Sequence, residues 1–140
     1  MKKLIYILAL FTVAACAGKN DLGPGKTGQQ FTIEGHSYNE VWNASLDAVR
    51  NARGAQSLEV DRHPSIDEKD KGKGVIKAST SLGLWSWGEV IGVFIDPAKD
   101  AKKYTINVES RTTYAPSGIT SNNWEDEIIA GIKHNLSAKH

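Results

Sequence analysis

The sequence predicts an α+β domain: an antiparallel five-stranded sheet with two helices on one face, in the order β-α-β-β-β-β-α. Three observations predict it. Residues 37–54 carry an apolar stripe at helical spacing behind a capping signature, and residues 124–136 carry a second stripe. Around them lie short segments in which apolar and polar residues alternate. Helices kept apart from a run of strands point to segregated layers rather than to the strict alternation of a parallel α/β fold. The domain is expected to occupy residues 31–140.

The first strand is short: Phe31 and Ile33 alternate with Thr32 and Glu34 before Gly35 and His36 turn the chain. Ser37 then opens a helix, because its hydroxyl can satisfy a free amide while Glu40, three residues on, reaches back. Tyr38, Val41, Trp42, Ser45, Leu46, Val49 and Ala52 share one face of that helix, Glu40, Asn43, Asp47 and Asn51 the other, and Gly54 is placed to end it. Leu58 and Val60 alternate with Glu59 and Asp61, which predicts a second strand closing at His63-Pro64. The charged, glycine-containing stretch 65–74, SIDEKDKGKG, reads as a solvated loop.

Three further strands are predicted at Val75 to Thr80, Glu89 to Asp96 and Tyr104 to Arg111. In the last, Tyr104, Ile106 and Val108 face one way and Thr105, Asn107, Glu109 and Arg111 the other, so part of the sheet has a polar face. The middle strand differs: Val90 and Phe94 point one way, Ile91, Val93 and Ile95 the other, and both sets need cover. Two readings follow. The tether or long neighbouring side chains cover the outer side, or a partner or a second copy does, which makes Ile91, Val93 and Ile95 candidate contact residues. Between strands, SLGLWSWG over 81–88 places Trp85 and Trp87 two apart, on one side of an extended chain. Tryptophan suits either a core end or an interface, so this pair is the other candidate partner surface. After a polar loop over 112–123, Asn123 caps a final helix with Trp124, Ile128, Ile129, Ile132 and Leu136 as its stripe. Glu125, Asp126 and Glu127 lie at its positive end, Lys133 and His134 near its negative end.

Motifs for chemistry do not assemble. Gly25-Lys26-Thr27 imitates the end of a phosphate-binding loop, but Asn20 stands where the first glycine belongs and no strand precedes it. A calcium loop centred on Gly72 would put Lys69 and Lys71 at ligand positions. His63 with Asp67 or Glu68 has no nucleophile or metal to serve. The histidines at 36, 63, 134 and 140 lack the spacing of a zinc site. The expectation is a non-catalytic protein with no metal and no cofactor.

The first sixteen residues bear on where it works. Lys2 and Lys3 precede an apolar run from Leu4 to Val13, too short to span a bilayer, and the small residues Ala14-Ala15 stand before Cys16. Val13-Ala14-Ala15-Cys16 resembles the lipobox of bacterial lipoprotein precursors. The resemblance implies cleavage of residues 1–15, diacylglycerol on the Cys16 thiol and an acyl chain, palmitate or a relative, on the new amino terminus. Cys16 is the one cysteine of the chain, so no disulfide competes for it. Two or more acyl chains make an anchor stable where one is marginal. Ala17 in place of aspartate implies the outer membrane, with the domain in the periplasm. Residues 16–30 follow as a lipidated cysteine and a flexible tether, AGKNDLGPGKTGQQ, spanning about 20 Å. Without residues 1–15 the chain keeps 15 basic against 16 acidic residues. A formal charge of −1 offers no basic field for nucleic acid.

The element order, together with the leader, is similar to the helix-grip domains of small envelope lipoproteins, including the lipoprotein C subunit of the outer-membrane β-barrel assembly machine. That resemblance implies a partner-binding role, by an envelope protein or by self-association. The alternative is a carrier, with a lipid or small apolar ligand held between helix and sheet by Tyr38, Trp42, Phe94 and Tyr104.

Overall fold

The computed structural model describes residues 21–25, 27–54, 63–81, 88–96, 102–113 and 124–138. The elements are β1 (Gln29–Glu34), α1 (Tyr38–Asn51), β2 (Ser65–Asp70), β3 (Val75–Thr80), β4 (Glu89–Asp96), β5 (Lys103–Thr112) and α2 (Trp124–Ser137). The strands form one antiparallel five-stranded sheet in the order β1-β5-β4-β3-β2. Both helices pack on the same side of it, which gives the α+β, helix-grip-like arrangement that the sequence predicts.

Helix α1 begins as its capping box requires. The Glu40 amide donates to the Ser37 hydroxyl at 3.3 Å, and the Ser37 amide donates to the Glu40 carboxylate at 2.7 Å. The helix ends earlier than Gly54 suggests, at Asn51 with an extended Ala52 after it. Gly54, at φ +73°, turns the chain two residues later. Helix α2 crosses α1 where both residues are small: a Cβ on Gly131 would stand 3.1 Å from that of Ala48. Val41, Val49, Ile76, Ile91, Val93, Ile95, Ile106, Val108, Ile128 and Ile132 are all at 0–1% exposure in the core between sheet and helices.

Two elements depart from the sequence reading. Ser65–Asp70, expected as a loop, is the edge strand β2, paired to β3 from Ser65↔Ser79 to Asp70↔Val75. Its register shifts between Ile66 and Glu68, which breaks the alternation by which a strand is recognised. An edge strand also needs little apolar cover, and charges along it discourage pairing with another chain. The strand expected at Leu58–Val60 falls outside the described residues.

The tether is the second departure. Gln29 and Gln30 already belong to β1, and the described residues before them, 21–25 and 27–28, lie as a strap on the sheet face away from the helices. Leu22 is only 5% exposed, in a cluster with Val90, Phe94 and Val75. Gly92 makes room: a Cβ there would stand 2.7 Å from the Phe94 ring and 3.3 Å from a Leu22 methyl. Of the two readings for the outer side of β4, cover by the tether is the one found. If the strap is part of the fold, Leu22→Ala lowers stability by about 2 kcal/mol in urea denaturation. A free tether predicts no change.

Candidate functional site

The register places three rows of residues across the outer face of the sheet. Gly28, Glu109, Gly92, Lys77 and Glu68 form one row, and Gln30, Asn107, Phe94, Val75 and Asp70 the next. Thr32, Thr105 and Asp96 form the third. The strap crosses the first row, and beside it opens a groove of about 620 Å³. Leu22, Val75 and Phe94 supply its apolar part, Gln30, Thr105 and Asn107 one polar side, and Glu68, Lys73, Lys77 and Asp96 the charged side. Both of its lysines are paired: Lys77 Nζ lies 3.2 Å from Glu68, and Lys73 Nζ lies 3.1 Å from Asp70.

What holds the strap is Glu109. Its side chain is fully buried, and the Arg111 guanidinium reaches it at 2.6 and 2.8 Å. The Gly23 amide donates to its other oxygen at 3.3 Å, and the Thr27 hydroxyl donates to the oxygen that Arg111 holds. Arg111 in turn donates to Thr27 Oγ1 at 3.1 Å, and the Asn107 amide to the Thr27 carbonyl at 3.3 Å. A buried carboxylate is tolerated when it is paired and hydrogen-bonded, so both ends of the strap close on one charge. Gly28, at φ +90°, passes so near the Val108 carbonyl that a side chain would collide with it.

The acidic first turn of α2 does more than complement a dipole. Glu125 accepts from the Ser110 amide at 2.8 Å, and Asp126 from the Gln29 side chain at 2.7 Å. Glu127 accepts from the Arg53 and Gly54 amides at 2.7 and 2.8 Å, closing the open end of α1. Beneath them the Trp124 indole donates to the buried Glu89, whose own amide donates to Thr80 Oγ1 at 3.0 Å.

The residues singled out from sequence are dispersed. Ile91, Val93 and Ile95 are at 0–1% exposure against the helices, so they are core and not a contact surface. The strand has two apolar faces, and these three residues lie on the one that the helices cover. Trp85 and Trp87 lie outside the described residues, as does Cys16. Tyr38, Trp42 and Tyr104 do gather on the helix side, with the two tyrosine rings 5.7 Å apart at 48°. Trp42 and Tyr104 are 5% and 3% exposed and are part of the packed core, and Phe94 faces the other way, toward Leu22. These four therefore do not line one cavity. Tyr38 closes the core over the β2–β3 turn, its hydroxyl donating to the Lys71 carbonyl at 2.5 Å. Burial, then the charge of Asp70, raises its pKa above the ordinary tyrosine value. Asp70 is held below the usual carboxylate range by the Lys73 amide and ammonium.

Glu109 and Leu22 are the residues that sequence reasoning passed over. The signal for one was a lone leucine in a polar tether, and for the other a carboxylate on the polar face of a strand.

No protein-family model matches the chain, and no curated protein matches it. Among solved structures, one titled "Crystal structure of Ara h 8.0201" aligns with 79% of this chain and 96% of its own, at 10% identity and a TM-score of 0.38. At that level the likeness says nothing about what this chain binds.

Arg111→Met would leave Glu109 as a buried charge without its cation, and a loss of about 3 kcal/mol in the unfolding free energy is expected. Lys103→Met, which breaks an exposed pair with Glu34 (side chains 62% and 65% exposed), should leave the midpoint unchanged. Equal effects of the two would contradict the role of Glu109 in holding the strap.

Proposed function

We propose that this chain is a lipid-anchored protein of a bacterial envelope whose α+β domain is a non-catalytic binding module, and that it takes an amphipathic ligand in the outer-face groove. The groove carries the reading. Its volume, about 620 Å³, falls in the range of roughly 300 to 1,000 Å³ usual for small-molecule sites. An apolar part formed by Leu22, Val75 and Phe94 stands against a side that carries Glu68, Lys73, Lys77 and Asp96, which suits a ligand with an apolar body and a polar or zwitterionic end. This reading moves the carrier site from the helix side of the sheet, where side chains fill the space, to the opposite face. The anchor rests on the lipobox resemblance at Cys16, and the outer membrane and periplasm rest on Ala17.

A second reading keeps the groove and changes its occupant to an apolar side chain of an envelope protein. It is favoured by the exposed charges of edge strand β2 along one side of the groove, since side chains at an interface rim are polar and accessible.

One experiment addresses both. The protein is expressed in its native envelope with a photoreactive residue in place of Glu68, irradiated, extracted and weighed intact. A mass above that of the bare peptide by an acylated diacylglycerol supports the anchor. An additional small-molecule adduct supports the ligand, and an adduct to one discrete protein favours the second reading. An unlipidated mass, or labelling no different from that with the photoreactive residue at Asn43 on the helix side, contradicts the proposal.

A further inference from the structure

We infer that the protein sits on its membrane with the outer face of the sheet, groove included, against the lipid headgroups and the two helices turned away. The inference rests on the Cys16 anchor proposed above and adds an orientation to it. A free tether over residues 16–30 would let the domain rotate. The strap narrows that freedom, because the chain is already seated on the outer face at Leu22, which packs with Val90 and Phe94 of β4 one residue after Asp21.

Geometry then limits what the anchor can reach. Five residue steps separate Cys16 from Asp21, so the lipidated sulfur's residue can lie at most about 18 Å from the sheet face. To bring the helix side to the bilayer, the same segment would have to pass β3 and β2, about 10 Å at strand spacing, and then the sheet and helix layers, about 20 Å more. A path of roughly 30 Å exceeds the available chain, so the helix side cannot face the surface that holds the anchor.

The charges of the outer face fit that partner. Glu109 with Arg111, Glu68 with Lys77, Asp70 with Lys73 and Glu34 with Lys103 are four acid–base pairs on this face or its rim, at 2.6 to 3.2 Å. With Asp96 as the further carboxylate of the groove, these pairs leave the face with little net charge toward a headgroup layer.

The test uses the full lipidated protein in phospholipid vesicles, with a fluorophore on one introduced cysteine and a quencher on the lipid headgroups. Labels at Thr32→Cys and Glu68→Cys report the outer face, and labels at Asn43→Cys and Ala130→Cys report the helices. The expected result is quenching at least twofold stronger for the outer-face pair. Ten glycine and serine residues inserted after Ala17 should abolish that difference while the protein still floats with the vesicles. Equal quenching at all four sites in floating protein overturns the orientation and leaves the anchor standing. Failure of the lipidated preparation to float overturns the anchor and the orientation with it.

Discussion

Strand β4 is buried from Glu89 to Ile95 on both of its faces, and the rest of the molecule answers that constraint. Helices α1 and α2 cover Ile91, Val93 and Ile95. The other face, Val90 and Phe94, receives no helix and is covered by the strap through Leu22. One leucine contributes about 2 kcal/mol on burial, while ordering each residue of the strap costs about 1 to 2 kcal/mol. Leu22 alone therefore cannot hold the segment down. Glu109 adds a second point of attachment, gathering Gly23, Thr27 and Arg111 on a single carboxylate, and β1 follows directly after Gly28. Gly92 is small for the same reason: any side chain there would occupy the space of Leu22 and Phe94.

Much of the architecture was legible in the residues. The bounds of β3 and β4 follow from alternation and length, α1 from Ser37 and Glu40, and α2 from its stripe and acidic first turn. What escaped did so for identifiable reasons. In β2 the bulge between Ile66 and Glu68 interrupts the period, and an edge strand of charged residues resembles a loop in composition. Alternation shows that β4 has two apolar faces but not which of them the helices take, and so it cannot tell Ile91, Val93 and Ile95 as core from the same residues as a partner surface. The grouping of Phe94 with Tyr104 failed on register: Phe94 stands opposite Asn107, and Tyr104 points to the other side.

The candidate site was the least legible part, because it is built from contacts far apart in the chain. Glu109 meets Gly23 and Thr27 more than eighty residues away. Composition made the strap look like a linker, since Gly23, Pro24, Gly25 and Gly28 are the residues of flexible chain. In the folded protein some of them serve a fixed path, with Gly28 passing where no side chain fits. The segment that precedes β1 thus also covers the outer side of β4, with Leu22 on Val90 and Phe94 and with Gly23 and Thr27 on Glu109.

The most direct measurement is of the strap itself, by nuclear Overhauser contacts between the Leu22 methyl groups and the Phe94 ring in isotope-labelled protein. The account predicts strong cross-peaks and Leu22 methyl resonances shifted by the ring. Leu22 methyl groups at random-coil positions, with no contact to Phe94, would contradict it and return residues 21–28 to the role of a free tether.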